Sequence, residues 1–379
     1  MMDPWCIDGV RCTRGGALTV PAARAPLGRL LRYRRAKGEG PTSVADPPLA
    51  DAVRSGRWMA TIGHPRLGDL LLGLATVQAL HEAGALLGFA PGRLWCAGPR
   101  RALVERSTLP VQRVEPEDAP LPGARDDSVI CSGERPDTTR TFLQEHVPTF
   151  LDLGDDGSLH VHADLPMRLY LEVERRVGVR LPRDLRPCPL FLADGRPAGD
   201  RPTVALVTTS GWPGRRGYAE RGFAKIMELL AGRWGPCRFQ LVVPPGGRAP
   251  MAPSGDSSVE VLDIDATGCV DLFASCDLVV GNNTGLTHLA ALTERREGGG
   301  PEVVGIYSRH PHLKWTTGRL RHHAVAGEFS QMVSAADACP AERMLHEPAW
   351  GPAGSIDAIA PETIADFAAT AVEEAWGAR

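Results

Sequence analysis

Ala274-Ser275-Cys276-Asp277-Leu278-Val279-Val280-Gly281-Asn282-Asn283-Thr284-Gly285-Leu286-Thr287-His288-Leu289-Ala290-Ala291 is the stretch on which the fold reading turns. Asp277 to Gly281 is short, apolar and β-branched, the pattern of a strand buried on both faces, and Leu286 to Thr293 reads as a helix. A small, polar, glycine-containing turn joins them. In a parallel sheet, ligands bind beyond the carboxyl ends of the strands, where helix N-termini offer free N–H groups and a favourable dipole to phosphate. Asn283, Thr284, Gly285, Leu286, Thr287 and His288 are therefore candidates for holding a diphosphate, through backbone N–H groups and the side chains of Thr284, Thr287 and His288. The competing reading is that Asn283 or Thr284 only caps the helix and His288 is a satisfied buried histidine.

Working outward, strands are expected at Val204–Thr208, Phe239–Val243, Val259–Leu262 and Val303–Tyr307, with helices at Ala219–Leu230 and Cys269–Ser275. Pro361 opens a last helix through Ala375, placed where its missing N–H costs nothing. Strands alternating with helices imply right-handed crossovers and a parallel sheet. Upstream, Pro182, Pro187, Pro189, Pro197 and Pro202 with Gly195 and Gly199 have the composition of an interdomain linker. Before it, Trp58–Gly63 reads as a strand, and Gly68–Gly84 as a helix with Leu70, Leu71, Leu74, Val77 and Leu80 at helical spacing. Further strands are expected at Arg93–Cys96, Ser128–Cys131 and Leu159–His162, and regular structure is expected to begin at Arg57. The resulting organisation is an Arg/Pro/Gly-rich extension over 1–54, packed loosely on a first domain over 55–185, a second domain over 200–360 and a closing helix over 361–379.

The 379 residues suit two cores. A net charge of -3 and a pI near 6.4 argue against nucleic acid as a partner. No apolar run approaches the roughly 20 residues needed to span a bilayer. The nine cysteines form an odd, scattered set with no C-x-x-C pair, so neither a zinc site nor a disulfide framework is indicated. Reduced thiols of a cytoplasmic protein are the expectation.

A second strand-to-helix turn, Gly63-His64-Pro65-Arg66-Leu67-Gly68-Asp69, is neither a P-loop nor a G-x-G-x-x-G dinucleotide fingerprint. Asp69 has the bland alternative of a carboxylate stabilised by the helix dipole. Taken with the first turn, however, it resembles the heptosyltransferase-like bacterial glycosyltransferases, family 9. Ile62 to Leu80 looks like that family's opening strand, Gly-Asp turn and Leu/Ala-rich helix. Gly214-Arg215-Arg216-Gly217-Tyr218-Ala219-Glu220-Arg221 is similar to its Lys-Arg-Trp-Pro segment. Ala274 to Ala291 is close to its Ala-Asp-Leu-Val-Val-Gly-Asn-Asp-Thr-Gly-Pro-Met-His-Leu-Ala-Ala signature. Val303 to Trp315 and Ile359-Ala360-Pro361-Glu362 look like its last strand, Trp-containing loop and closing helix. Coverage runs from about residue 57 to 379. Asn283 stands in place of an aspartate, and Arg215 and Gly217-Tyr218 in place of Lys and Trp-Pro.

The resemblance implies an α/β protein of GT-B architecture, two Rossmann-like doubly wound parallel-sheet domains facing a cleft, with the closing helix returning to the first domain. It implies an inverting, metal-independent sugar transfer, without cofactor, from an ADP- or GDP-type nucleotide-diphosphate sugar carrying a heptose or related sugar. The acceptor is a hydroxyl of a glycolipid such as a lipopolysaccharide core, or of a natural product as in antibiotic biosynthesis. Asp69 takes the catalytic base position. Arg215 falls at a phosphate-binding lysine, Arg216 beside it. Gly68, His64, Ser210, Arg309 and His310 are weaker candidates.

Asp263-Ile264-Asp265 has a metal-binding D-x-D form but sits at a strand end, where turn chemistry explains it. His160-x-His162 and His310-x-His312 lack a third ligand. A sugar-nucleotide epimerase of the same architecture and a non-catalytic sugar-nucleotide binder are the alternatives.

Overall fold

The protein is described from a computed structural model, which defines residues 6–7, 10–14, 47–55, 58–62, 66–87, 93–96, 100–109, 114–116, 128–132, 150–152, 163–182, 187–194, 199–208, 217–243, 256–308, 310–335 and 355–377. The chain divides into two compact units, one of Thr19–Phe191 and one of Met1–Leu18 with Leu192–Arg379. The N-terminal strands β1 (Cys6–Ile7) and β2 (Val10–Thr13) belong to the second of these.

The Thr19–Phe191 unit contains α1 (Pro47–Ser55), β3 (Trp58–Ile62), α2 (Leu67–Leu86), β4 (Arg93–Cys96), α3 (Arg100–Glu105), β5 (Val114–Pro116), β6 (Ser128–Ser132), β7 (Phe150–Asp152) and α4 (Leu165–Val177). Its sheet has the order β5-β4-β3-β6-β7, parallel throughout. Helix α2 buries residues on every side, including Leu71, Leu72, Leu74, Ala75 and Val77, so it is a core helix rather than a surface one. It packs on α4, whose ends are set locally. Asp164 accepts from the Met167 N–H at 2.8 Å as N-cap, Pro166 occupies the first turn, and Gly178 closes the helix in the left-handed region at φ 75°.

One sequence expectation fails here. Residues 47–55 form a helix before Arg57, because Leu49 and Val53, four apart, share one face and are fully buried against α2 and α4. The strand expected at Leu159–His162 lies outside the described residues, while β7 had no clear signature in its three residues.

The second unit continues through β8 (Phe191–Ala193), β9 (Thr203–Val207), α5 (Glu220–Trp234), β10 (Arg238–Val242), β11 (Ser258–Leu262), α6 (Ala266–Ala274), β12 (Leu278–Asn282), α7 (Gly285–Leu292), β13 (Thr293–Arg295), β14 (Glu302–Tyr307), β15 (His322–Ala326), α8 (Glu328–Ala335) and α9 (Pro361–Gly377). The boundary between units falls at the start of β8, which pairs with β13. The main sheet runs β1-β2-β15-β14-β12-β9-β10-β11. Its six central and far strands are parallel. Counted along the chain from β9, their order is the doubly wound 3-2-1-4-5-6 arrangement, with the reversal between β9 and β12. Strands β9, β12, β14 and β15 are buried at every position, as a sheet covered on both faces requires.

The N-terminal residues depart from the loose extension expected of them. Strand β2 runs antiparallel to β15, with Cys12 opposite Val325, and Cys12 lies in the same core as Val304, Val325 and Phe367. The reason is the edge: without β2, β15 would present a row of unpaired N–H and C=O groups. Arg14 adds to the anchorage, its guanidinium 4.9 Å from the Phe367 ring centre and 3.0 Å from Glu374.

Within its own unit, the closing helix α9 lies on α5, β12 and β14. Ile364, Phe367, Ala368 and Val372 give it a buried face, the Trp376 ring packs at a tilt 5.4 Å from that of Trp234, and Arg233 pairs with Asp366 at 2.6 Å. Among the described residues, no helix is long and apolar enough to cross a membrane.

Cys12→Asp places a carboxylate inside this core, at a cost of several kcal/mol. The expected result is a fall in melting temperature of about 5 °C or more, at roughly 2–4 °C per kcal/mol for a unit of this size. A chain starting at residue 19 should fall similarly. Unchanged melting in both would remove β2 from the sheet.

Candidate functional site

At the strand-order reversal, the carboxyl ends of β9 and β12 lie side by side, and β12 turns directly into α7. The approach of strand and helix depends on Gly281. A Cβ there would sit 2.5 Å from the Thr287 Oγ1 and 2.8 Å from the Val207 Cβ, so only hydrogen fits. The Thr287 hydroxyl donates to the Asn282 carbonyl at 2.6 Å, and the Asn283 N–H donates to the Ile306 carbonyl at 3.2 Å, so both sides of the turn are fixed.

Thr284 is the N-cap residue of α7, yet its side chain makes no capping hydrogen bond; its Oγ1 lies 3.5 Å from that of Thr287. Capping by Thr284 or Asn283 therefore does not account for this turn. The first N–H groups of the helix, from Gly285, Leu286 and Thr287, have no side-chain cap, and this concentrates the positive end of the helix dipole at the turn. That is an anion-binding arrangement.

His288 is buried, with Nε2 3.0 Å from Asn283 Oδ1. Burial pushes its pKa down to about 4, the Trp315 backbone partly opposing this. At neutral pH only about one such ring in a thousand carries a proton. His288 acts as a neutral hydrogen-bonding group, and the charge of an anion must be met by other groups.

Behind His288 lies a buried polar layer that the sequence reading missed. The Thr317 N–H donates to Nδ1 of His322 at 3.1 Å, which leaves the proton of this neutral ring on Nε2, facing Tyr307 Oη at 3.3 Å. The Tyr307 hydroxyl in turn donates to the Trp315 carbonyl at 2.7 Å. Burial, then the neighbouring His288 and His323, hold His322 well below its usual range. The chain of contacts fixes the segment after β14 against β15. Its only sequence signal is a pair of histidines opening an otherwise apolar strand.

The other predicted residues are placed as follows. Gly68 and Asp69 are half-buried in the first turn of α2, in the Thr19–Phe191 unit. His310 is half-buried, its ring 6.1 Å from Trp315 and its carbonyl accepting from the Ser330 hydroxyl at 2.6 Å. His64, Ser210, Arg215, Arg216 and Arg309 lie outside the described residues, as do His160 and His162. Asp265 is the N-cap of α6, accepting from the Gly268 N–H at 2.7 Å, so the D-x-D pattern is turn chemistry. His312 is buried against Ser330 and Ser334 through Nδ1.

No protein-family model matches this chain, and no curated protein sequence does. Solved structures do. The glycosyl transferase family 9 structure from Veillonella parvula matches with a TM-score of 0.58 at 11% identity, covering 84% of this chain and 98% of that one. The E. coli ADP-heptose lps heptosyltransferase II matches at 0.53 and 14%, covering 84% and 99%. The chain has the GT-B glycosyltransferase fold. Within that GT-B fold, the α7 turn occupies the position where a doubly wound sheet binds ligands.

The neutral histidines make stability depend on pH in a defined direction. Above pH 6.5 neither the folded nor the unfolded state protonates His288, and its full contribution is present. As pH falls from 6.5 toward 4, the unfolded chain takes up protons that the fold excludes, and stability drops. Melting curves between pH 7.5 and 4.5 should therefore fall less steeply for His288→Gln than for the native protein. Parallel slopes would mean that His288 titrates normally.

Proposed function

We propose that this protein is an inverting glycosyltransferase that moves a sugar from a nucleotide-diphosphate donor to an acceptor hydroxyl. One observation carries the reading: an uncapped helix N-terminus at the strand-order reversal of a GT-B fold, built from the residues whose sequence resembles the family 9 signature. An ADP-type donor carrying a heptose or related sugar follows from likeness to the ADP-heptose transferase. The buried thiols Cys12, Cys188, Cys237, Cys269 and Cys276 support a reducing, cytoplasmic setting.

In this reading Asp69 removes the proton of the acceptor hydroxyl, and the acceptor oxygen attacks the anomeric carbon from the face opposite the diphosphate. The bond from that carbon to the diphosphate oxygen breaks, and the nucleotide diphosphate leaves with the bonding pair. Its growing charge is met by the α7 N–H groups, that of Thr287 included, the Thr284 side chain, and the guanidinium groups of Arg215 and Arg216. Neutral His288 and Asn283 orient the donor by hydrogen bonds. No metal is required for that balance. The acceptor is a glycolipid or natural-product hydroxyl.

Asp69→Asn keeps the size of the side chain but cannot accept the proton, so turnover should fall about 10²–10⁴-fold with donor affinity and melting temperature nearly unchanged. The measurement is nucleotide-diphosphate release, and turnover within a few-fold of the native enzyme would remove Asp69 from the chemistry. Activity should also survive exhaustive chelation. Its loss, with recovery on adding manganese or magnesium, would overturn the metal-free clamp.

A further inference from the structure

Asn282, the last residue of β12, is buried and uses both ends of its amide. Its Nδ2 donates to the Thr208 carbonyl at 3.0 Å, and its Oδ1 accepts from the Tyr218 N–H at 2.8 Å. Thr208 directly follows β9, and Tyr218 directly precedes the start of α5. One side chain therefore spans the exit and re-entry points of the segment that carries Ser210, Arg215 and Arg216. The amide is crowded into place. A Cβ at Gly217 would come within 2.7 Å of Nδ2, which excludes any larger residue there without displacing Asn282.

The re-entry point is secured a second time. The Tyr218 hydroxyl donates to the Ile359 carbonyl at 2.7 Å, the Ala219 N–H donates to Asp357 at 3.1 Å, and the Tyr218 ring packs edge-on to Phe223 at 5.5 Å. The Asn282 backbone also takes part in the α7 turn, its carbonyl accepting from Thr287. The same residue thus touches the turn after β12 and both ends of the connection between β9 and α5.

We propose that Asn282 is a positioning residue, a clamp that holds the end of β9 and the start of α5 in register with the α7 turn and thereby orders the diphosphate site. The inference rests on the diphosphate-binding reading above. Asn282 touches no substrate in this proposal; it fixes the anchor points of groups that do. A carboxylate cannot replace the amide, because a second acceptor would face the Thr208 carbonyl where a donor is needed.

The test compares the native full-length protein with Asn282→Asp and Asn282→Ala by calorimetry, using ADP, AMP and inorganic pyrophosphate as probes and melting temperature as the control for folding. The expected result is a loss of about tenfold or more for ADP and pyrophosphate, with AMP affected much less, since two hydrogen bonds ordering a diphosphate site are removed or opposed. Gly217→Ala, which presses on the amide from its other side, should reproduce the split. Hydrogen exchange at the Tyr218 amide, protected in the native protein by Asn282, should quicken in Asn282→Ala. If the native protein binds no diphosphate, the functional reading fails and the positioning role with it. If the native protein binds ADP and the folded variants bind it equally well, the clamp alone is overturned. Equal losses for all three probes, or failure of all three variants to fold, would make Asn282 a residue of the fold and overturn the proposal.

Discussion

The reversal of strand order between β9 and β12 is the constraint on which the rest of the second unit depends. Helices that follow strands on either side of it cover opposite faces of the sheet, so the two carboxyl ends at the reversal are left with backbone groups that neither helix layer covers. The protein resolves this with side chains rather than with a longer loop. Gly281 lets α7 come down onto the strand end, Thr287 ties the helix to the Asn282 carbonyl, and the Asn282 amide secures the neighbouring strand's exit. What stays uncommitted is the first turn of α7. In the proposed function, that turn is where the donor's diphosphate is met.

The electrostatics follow from the same economy. A histidine next to a helix N-terminus is usually read as a potential cation, but here three imidazoles crowd a buried layer and two of them are driven neutral by burial. Neutral rings hydrogen-bond without repelling one another, and His288 and His322 can sit with ring centres 5.7 Å apart. The layer stiffens the segment from Trp315 to His322 and leaves positive charge to groups outside the core. Rigidity of donors matters more than their number when a leaving group's charge must be met without reorganisation.

Much of this was legible in the sequence, and the legible parts share a cause. The buried parallel strands announce themselves as unbroken runs such as Val279-Val280 and Val303-Val304, and their helices by 3.6-residue spacing, as in Phe223, Ile226, Met227 and Leu230. The small polar turn from Gly281 to Thr287 was readable because a strand that turns straight into a helix needs small residues at the close approach, as at Gly281. Strand β15 was hidden because His322 and His323 replace apolar residues with polar ones whose partners lie outside the strand, Thr317 and Tyr307 for one, Glu302 for the other. Asn282 was equally hidden: nothing local distinguishes an asparagine that spans two chain segments from one that ends a strand. Residues 10–14 were unreadable for a third reason, since a four-residue edge strand has no periodicity and its existence depends on β15.

That hairpin has a consequence for how the protein is made. Cys12 and Val325 are neighbours in the sheet although more than three hundred residues separate them in the chain. Synthesis proceeds from the N-terminus, so the segment destined for the edge emerges long before its partner strand. In the interval the ribosome delivers the whole Thr19–Phe191 unit, which can collapse around its own core while the first residues wait unpaired. Closing so long a loop adds little entropic cost over a loop half its size, because the penalty grows only with the logarithm of length. The delay is a matter of time: a nascent chain carries an unsatisfied strand and has nothing to pair it with until β15 has been made.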